Sequence, residues 1–384
     1  MTTDDQADQI RVLRIIARMN VGGPAWQTSV LTRGLGDYGF ETRLLAGHLD
    51  DGEADFVALR DPDLEVVPIA GLGRPIRLGG DLRAFWSVYR EIRRFSPMIV
   101  HTHTAKAGVI GRVAAVAARV PIRVHTFHGH VLHGYFSPLT TRLVRMVERV
   151  LARHTTALVA VGQRVGEELV AAGIGTADKF TAIAPGVGSA GTILDRADAR
   201  VLHDLPATGP VVLFIGRLTG VKRPDRLLAA FEQVVAKVPD ATLVVAGQGD
   251  LLEEVRSDAQ RLGESVRFLG WRPDVASLYA ASDVVVISSD NEGMPVTLIE
   301  AAMAGVPGVT TDVGSASEVV EDQVTGLVVP TDPEAIAEAL IDLLSDPGRR
   351  LDMGCAAELR ARQRFSSERL VADHAALYRR LADS

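Results

Sequence analysis

The sequence has almost no cysteine and no long apolar run. Cys355 is the one cysteine among 384 residues, which excludes a disulfide framework and favours a reducing compartment. No apolar run approaches the roughly 20 residues that a membrane-spanning helix needs. The stretch from Met1 to Gln9 is polar and acidic, so we expect no signal peptide. These absences predict a cytoplasmic globular protein.

Length and charge divide the chain into two halves. A chain of 384 residues is long for one open sheet and fits two domains with separate cores. Residues 1–200 carry 24 Lys and Arg against 20 Asp and Glu, whereas residues 201–384 carry 17 against 28. The amino-terminal half is therefore the part that is suited to meet an anionic surface.

Short runs of Val, Ile and Leu alternate with amphipathic stretches, a pattern typical of parallel sheets covered by helices on both faces. In the first half we predict strands at 12–16, 42–45, 64–68, 98–101, 123–126, 157–161 and 181–183, and helices at 26–38, 82–95, 106–119, 139–152 and 164–172. In the second half we predict strands at 211–215, 242–246, 266–269, 283–287, 308–311 and 326–328. The fold class is thus α/β, with two Rossmann-like, doubly wound domains.

The break between the two halves lies between Pro185 and Pro210. The segment from Pro185 to Gly191 is rich in glycine and small residues and is typical of a linker or hinge. Ligands of doubly wound sheets bind at the carboxyl ends of the strands. We therefore expect the site in a cleft that the two domains face.

The stretch from Ser289 to Gly305 is the most informative one. It sets Glu292 and Glu300 eight positions apart, after an apolar strand and around the start of a helix that we predict near Val296. Backbone N–H groups at a helix N-terminus attract an anion. Two carboxylates beside that anion suit a ligand with a phosphate at one end and hydroxyls on both sides. A nucleotide-sugar is such a ligand.

Two cations follow the predicted strand at 211–215. Arg217 and Lys222 lie five positions apart on the loop after this strand. Arginine acts as a planar fork and lysine as a point charge, and together they can neutralise a diphosphate leaving group.

These motifs resemble the retaining glycosyltransferases of family 4, which have the GT-B fold. The matching segments are Gly216-Arg217-Leu218 with Lys222, 245–249, 266–270, and Glu292-Gly293 through Glu300-Ala301, with looser matches at Gly22-Gly23 and His101-Thr102-His103. The resemblance covers nearly the whole chain. It implies an acceptor-binding domain over 1–187, a nucleotide-sugar-binding domain over 200–367, and a last helix, about 368–384, that packs back on the first domain.

The resemblance also implies a reaction, the transfer of a glycosyl group from a nucleotide-sugar to a hydroxyl with retention of configuration. Arg217 and Lys222 would stabilise the diphosphate, Glu292 and His103 would contact the donor sugar, and Glu300 would bind the ribose. His128 would line the active site. The remaining donor-binding positions are Gly22, Gly23, Gly216, Gly293, Met294, Pro295 and Val296. No protein nucleophile, metal or cofactor is required, although Glu292 as a nucleophile is a weaker alternative.

Several other patterns have competing interpretations. The histidines His101, His103, His125, His128, His130 and His133 suggest a zinc site, but no helical pair at metal spacing joins a carboxylate, and we prefer hydrogen bonding to ligand. Asp61-Pro62-Asp63 matches an acidic metal triplet but favours a surface turn. The segment Gly34–Gly39 formally matches a dinucleotide fingerprint, yet it ends a helix and is interpreted as a C-cap and turn. Gly22-Gly23-Pro24 is either a plain turn or a loop that approaches the donor.

A predicted helix carries Arg142, Arg145, Arg149 and Arg153 at intervals of three or four residues, together with Leu143, Val144, Val147 and Val150. We favour a solvated face beside a core stripe. The alternative is a basic amphipathic face that rests on anionic lipid at the inner side of a membrane.

The donor and the acceptor are not fixed by the sequence. Glu292-Gly293-Met294-Pro295 looks more like members that use UDP-sugars than those that use GDP-mannose. A lipid-linked sugar in cell-surface polysaccharide synthesis is the preferred acceptor, followed by a soluble small molecule; nucleic acid is not expected. Two other classes stay open, a non-hydrolysing sugar-nucleotide epimerase and a catalytically silent nucleotide-sugar binding protein.

Overall fold

The computed structural model describes residues 9–50, 52–73, 77–129, 137–188 and 194–384. Predictions that concern residues 1–8, His130, His133 and 189–193 of the expected linker therefore lie outside the described residues. The chain forms two compact units. Unit 1 holds the described residues up to Gly186 together with Ser367–Ser384, and unit 2 holds those from Val187 to Ser366.

Unit 1 is built on a parallel sheet. Its strands are β1 (Ile10–Ile16), β2 (Phe40–Ala46), β3 (Val66–Pro68), β4 (Ile99–His103), β5 (Ile122–Phe127), β6 (Ala157–Ala160) and β7 (Phe180–Ala182). They lie in the order β3-β2-β1-β4-β5-β6-β7. The accompanying helices are α1 (Gly23–Gly34), α2 (Phe56–Arg60), α3 (Leu78–Phe95), α4 (Ala105–Ala117), α5 (Pro138–Arg153) and α6 (Gln163–Ala171).

The sheet of unit 1 is buried on both faces. Leu13 and Ile15 of β1 pack with Ile110 of α4 on one face, whereas Val12, the residue before Leu13, packs with Leu31 of α1 on the other. Successive strand side chains point to opposite faces, so strands that are apolar at every position need helices on both sides.

Unit 2 repeats this plan with a second parallel sheet. Its strands are β8 (Val211–Ile215), β9 (Thr242–Ala246), β10 (Val266–Gly270), β11 (Val284–Ile287), β12 (Gly308–Thr311) and β13 (Gly326–Val329), in the order β10-β9-β8-β11-β12-β13. Its helices are α7 (Arg196–Leu202), α8 (Pro224–Lys237), α9 (Leu252–Ala259), α10 (Val275–Ala281), α11 (Val296–Met303), α12 (Ala316–Val319), α13 (Pro333–Ser345) and α14 (Pro347–Arg364). The expected α/β architecture with two doubly wound sheets is confirmed.

The last helix, α15 (Ser367–Ala382), belongs to unit 1 and packs against α1. Its Tyr378 is fully buried and accepts a hydrogen bond from Arg14 Nη1 at 3.0 Å. The same hydroxyl lies 2.6 Å from His101 Nδ1, whose Nε2 lies 2.7 Å from Thr126 Oγ1. His101 therefore holds α15 to the sheet. None of the helices among the described residues is long and apolar enough to cross a membrane.

Three local features of the fold, at the end of α1, at α7 and on α5, bear on the predictions made from the sequence. The segment Gly34–Gly39 ends α1 and turns through Gly39, whose φ is +82°, so the C-cap interpretation is confirmed and a single helix over 26–38 is wrong. The break expected between Pro185 and Pro210 also contains α7, a helix that was not predicted and that follows the expected linker. Asp195 caps its first turn by accepting a hydrogen bond from Asp198 N at 2.9 Å. Leu143 and Val150 were expected in a core stripe, but both are about half exposed.

Candidate active site

The strand order of unit 2 reverses direction between β8 and β11. From β8 the chain proceeds outward through β9 and β10, and from β11 it proceeds the other way through β12 and β13. In doubly wound sheets this switch point opens a crevice beyond the carboxyl ends of the two strands. Lys222 lies on the loop after β8 and Glu292 on the loop after β11.

The structure joins Lys222 to Glu292 at this point. Lys222 Nζ donates to Glu292 Oε1 across 2.5 Å, and Ser289 Oγ donates to the same oxygen across 2.5 Å. The Glu292 side chain is 9% exposed, whereas that of Lys222 is 24% exposed. A carboxylate that is nearly buried needs such partners. The two residues that the sequence assigned to opposite ends of one ligand thus form one polar cluster.

The two loops that carry this pair are fastened to each other. Asp290 N donates to Val221 O at 2.8 Å, and Ser288 Oγ donates to Lys222 O at 2.9 Å. Buried Arg226 of α8 donates to Ser288 O at 2.7 Å and to Asp290 Oδ1 at 2.6 Å. Lys222 and Glu292 therefore stand on a backbone that is held in place. Arg226 was not predicted, because its only signal in the sequence is a charge on the apolar side of a helix.

Glu300 lies one turn into α11, as predicted, and is held by a residue that the sequence analysis missed. Tyr279 of α10 donates its hydroxyl to Glu300 Oε2 at 2.8 Å. Burial raises the pKa of Tyr279, and the nearby charge of Glu300 raises it further. Tyr279 thus stays protonated and orients one carboxylate oxygen. Its signal in the sequence was a tyrosine in an apolar helix, since a buried hydroxyl needs a partner.

The segment Gly293–Val296 connects the Glu292 loop to α11. Pro295 occupies the position before the helix, and Met294 is buried. The first N–H groups of a helix have no intrahelical acceptor and carry a partial positive charge. This helix end therefore lies beside Lys222 and Glu292 as an electropositive element.

Glycines allow neighbouring loops to approach this segment. Gly314, after β12, has a φ of +50°, and a Cβ there would overlap the carbonyl oxygen of Glu292. The next residue, Ser315, donates its N–H to Gly293 O at 2.8 Å. Only glycine permits such an approach without strain. Gly314 was not singled out by the sequence.

Arg217 and Gly216 also follow β8. Gly216 N donates to Ala246 O at 3.0 Å, which extends the ladder with β9 into the loop. Arg217 is exposed and forms no ion pair with any described acidic side chain. Arg217 therefore shares the edge of the sheet with Lys222 but does not join its hydrogen-bonded cluster.

Unit 1 has its own switch point, between β1 and β4. Gly22 is the residue before α1, on the loop after β1, and Gly23 is the first residue of that helix. The loops after β1 and β4 are linked because Ala17 N donates to Thr104 Oγ1 at 3.3 Å. The predicted glycines thus share one sheet edge with His103, the last residue of β4.

His103 and His128 form a pair at this edge. Nδ1 of His103 lies 3.1 Å from Nε2 of His128. Burial lowers the pKa of His128 to about 4, and burial with the nearby His128 lowers the pKa of His103 well below its usual value. Both rings are therefore neutral near pH 7, and one donates to the other. Among the described residues, His103 Nε2 and His128 Nδ1 have no hydrogen-bond partner, so both are ready to bond a ligand hydroxyl.

Two of the residues weighed as metal ligands, Asp61 and His125, are engaged elsewhere. Asp61 accepts hydrogen bonds from Arg33 Nε at 2.8 Å and from Ser29 Oγ at 2.5 Å, and the arginine lowers the pKa of this carboxyl group. His125 Nδ1 lies 2.8 Å from Thr102 Oγ1 within the sheet. In the described part of the chain no three His, Cys, Asp or Glu side chains are grouped so as to hold a metal ion.

Comparison with known proteins matches both units of the chain to glycosyltransferases. Residues 22–186 match the family model described as a glycosyl transferase 4-like domain, and residues 195–360 match the one described as glycosyl transferases group 1. The chain is 33% identical over 297 residues to the D-inositol 3-phosphate glycosyltransferase of Xylanimonas cellulosilytica, covering 72% of this chain and 69% of that one. It is 27% identical over 295 residues to the UDP-Gal:alpha-D-GlcNAc-diphosphoundecaprenol alpha-1,3-galactosyltransferase of Escherichia coli, covering 74% and 76%.

The fold is also similar to solved structures. Anabaena HepE, crystallised with UDP and glucose, superposes with a TM-score of 0.81 at 23% identity, over 96% of this chain and 99% of that one. A sequence identity of 23% supports a similarity of fold and nothing further. The assignment to a family is supported by the two family models and by the 33% identity to the inositol phosphate enzyme. The chain belongs to the family 4-like glycosyltransferases with the GT-B fold.

Proposed function

We propose that this protein is a retaining, metal-independent hexosyl or N-acetylhexosaminyl transferase. Its donor would be a nucleotide-sugar, preferably UDP-linked, and its acceptor a hydroxyl of a lipid-linked sugar in cell-surface polysaccharide synthesis. The observation that carries the proposal is the cluster of Lys222, Glu292 and Ser289 at the switch point of unit 2, followed along the chain by Glu300 one turn into α11. We assign acceptor binding to 1–187, with the last helix, and nucleotide-sugar binding to 200–367.

Each group of the cluster suits one part of the donor. Lys222 and the exposed Arg217 would neutralise the diphosphate as the glycosidic bond breaks. Glu292 would accept hydrogen bonds from sugar hydroxyls, and Glu300, oriented by Tyr279, would bind the ribose. Amides of Gly293, Met294 and Val296, beside Pro295, would meet the phosphate or sugar at the N-terminal end of α11. Gly216, whose N–H already donates to Ala246 O, would let the donor approach the backbone after β8.

The transfer needs neither a protein nucleophile nor a cofactor in this proposal. The acceptor attacks on the face from which the diphosphate departs, and a phosphate oxygen takes the acceptor proton. Glu292 is already bound by an ammonium and a hydroxyl, which lowers its nucleophilicity and favours a binding role. In unit 1, the neutral His103 would contact the donor sugar, His128 would line the acceptor side, and the backbone at Gly22 and Gly23 would approach the donor.

The names of relatives support the acceptor class without fixing it. The Escherichia coli relative is named for a diphosphoundecaprenol-linked acceptor and UDP-galactose. The Xylanimonas relative is named for a small soluble acceptor, inositol 3-phosphate. We prefer the lipid-linked class because residues 1–200 carry more Lys and Arg than Asp and Glu. Such an excess of positive charge suits a protein that meets its acceptor at an anionic membrane surface.

The test is a screen of nucleotide-sugars by thermal shift, followed by incubation of each stabilising donor with the protein. Slow release of the nucleotide, and an anomer of retained configuration in the NMR spectrum of the product, is the expected result. Formation of an epimerised nucleotide-sugar would reveal an epimerase instead. Binding of a donor without any turnover, with or without lipid-linked and soluble acceptors, would reveal a silent binding protein.

A further inference from the structure

Half of the large apolar side chains that are exposed in the described part of the chain lie on three helices of unit 1. They are Leu78, Leu82 and Trp86 on α3, Val113 and Val116 on α4, and Leu139, Leu143, Met146 and Val150 on α5. We call these side chains the apolar face. Helix α4 packs between α3 and α5, and right-handed crossovers place all three helices on one side of the sheet.

The apolar face has the spacing of a buried helix surface. On α5 its members recur after four, three and four residues, which aligns them in one stripe, and on α3 they recur every four residues. Such stripes normally face a core. Here Leu78 is 88% exposed and Leu139 is 81% exposed. Leaving so many large apolar groups in water is unfavourable, so the face is suited to bind something apolar.

The same helices are strongly basic. Together α3, α4 and α5 contain ten Lys and Arg against three Asp and Glu, although the whole chain has a net charge of −7. All three acidic residues pair with cations. Glu148 is buried against Arg112 at 2.7 Å, Asp81 lies 2.6 Å from Lys106, and Glu91 lies 3.7 Å from Arg43. The arginines that remain in excess are Arg83, Arg90, Arg93, Arg94, Arg142, Arg145, Arg149 and Arg153.

The position of the face relates it to the histidine pair. Helix α5 follows β5, and β5 ends next to His128. The most exposed members of the face, Leu78 and Leu139, lie in the first turns of α3 and α5. Helices begin at the carboxyl edge of a parallel sheet, so the most exposed part of the face lies toward the edge that carries His103 and His128.

We propose that the apolar face docks on a bilayer that contains anionic lipids. The leucine, methionine and valine side chains enter the interfacial layer, Trp86 lies at the headgroup level, and the arginines contact lipid phosphates. A second copy of the chain is a poor occupant, because pairing two such faces would bring like charges together. The inference rests on the proposed function in one respect: a lipid-linked acceptor would meet unit 1 at its His103 edge.

The experiment is flotation of the full chain with vesicles of equal parts phosphatidylcholine and phosphatidylglycerol. We expect binding that falls as salt rises and that is absent with phosphatidylcholine alone. The double variant Leu139→Gln/Leu143→Gln should lose binding by more than about tenfold, since burying a single leucine is worth at least that factor. The matched control is Leu351→Gln/Leu359→Gln, which alters two exposed leucines of α14 and should bind like the wild type.

Arg142→Glu/Arg145→Glu should also abolish binding. Arg149 is left unchanged, because its guanidinium donates to Ala172 O at 2.6 Å and its loss would disturb the fold. Vesicles with brominated lipid should quench Trp86, and Trp86→Phe should remove that quenching. Failure of the wild type to bind anionic vesicles, or equal loss in the α14 control, would overturn the proposal. So would a stable dimer in solution that the Leu139/Leu143 variant dissociates. Slow hydrolysis of donor by water, measured in parallel without vesicles, reports on the proposed function separately.

Discussion

Lys222 Nζ and Glu292 Oε1 join, across 2.5 Å, the two loops that flank the switch point of unit 2. The lysine is assigned to the diphosphate and the glutamate to the sugar. The two groups therefore neutralise each other when no donor separates them. A donor that bridges them would share the lysine with its phosphate and leave Glu292 free to accept from sugar hydroxyls. In the proposed function, binding of the donor and rearrangement of this pair would be one event.

Lys222→Ala should lower turnover by about 10²–10³, the usual loss when one group that stabilises developing negative charge is removed. Lys222→Arg should recover part of the lost turnover, because the positive charge is kept but the compact ammonium is replaced by a planar guanidinium. The matched control is Lys237→Ala, in the last turn of α8 on the same unit. Initial rates of nucleotide release measure all three, and a Lys222→Ala rate within twofold of the wild type would remove Lys222 from the mechanism.

The pair also affects stability. Lys222→Ala leaves a nearly buried carboxylate with Ser289 as its remaining described partner, and should cost about 1–3 kcal/mol of unfolding free energy. The double variant Lys222→Ala/Glu292→Gln should regain most of the lost unfolding free energy, because the carboxylate charge that needed a partner has been removed. Urea unfolding of Lys222→Ala, Glu292→Gln and the double variant completes this double-mutant cycle. Additive losses would show that the pair is not coupled.

The sequence was sufficient for elements whose causes are local. The apolar runs of β8, β9 and β12 were located to the residue, since alternation of apolar runs and turns decides them. Lys222, Glu292 and Glu300 were found because they lie at fixed places beside strand and helix ends. Tyr279, Arg226 and Gly314 were not, since their roles depend on which loops meet in three dimensions. Leu143 was misplaced for a related reason: an amphipathic pattern shows that a stripe exists but not what covers it.

Tyr279→Phe should weaken nucleotide diphosphate binding by about three- to tenfold, because a hydrogen bond to a charged group is worth about 1.5–3 kcal/mol and only its orienting part is lost. The fold should stay intact, since the ring remains and only the hydroxyl is removed. Titration calorimetry with UDP measures the affinity. A variant that binds UDP like the wild type would show that Tyr279 does not orient Glu300.

Acid should destabilise the protein through its buried histidines. Burial lowers the pKa of His101, His103 and His125 well below the usual value, that of His128 to about 4 and that of His374 to about 3. The unfolded chain takes up protons below about pH 6.5 while these groups stay neutral in the fold, so stability is full above that pH and falls below it. Each histidine should contribute up to about 1.4 kcal/mol per pH unit.

The measurement for this prediction is the urea midpoint followed from neutral pH down to about pH 5, below the usual histidine pKa. His374→Leu should flatten the dependence by about one proton. A wild-type midpoint that does not change over this range would show that the histidines are not buried in their neutral form.

Transfer should continue in excess chelator, because in the proposed function Lys222 and Arg217 would supply the positive charge that a divalent ion would otherwise bring. The assay is nucleotide release with EDTA, with and without added Mg²⁺ or Mn²⁺. Unchanged rates are expected. Loss of activity in chelator with recovery on addition of a divalent ion would return the histidines or Asp61 and Asp63 to consideration as ligands.

The most direct test separates the two glutamates by calorimetry with UDP alone. Ribose contacts exist with or without the sugar, so Glu300→Gln should weaken UDP binding by about tenfold or more, the loss expected when a charged hydrogen-bond acceptor is neutralised. Glu292→Gln should bind UDP nearly as the wild type does and yet lose turnover with the intact donor. Equal losses of UDP affinity in both variants, or unchanged affinity in Glu300→Gln, would contradict the assignment of the nucleotide and the sugar to these two residues.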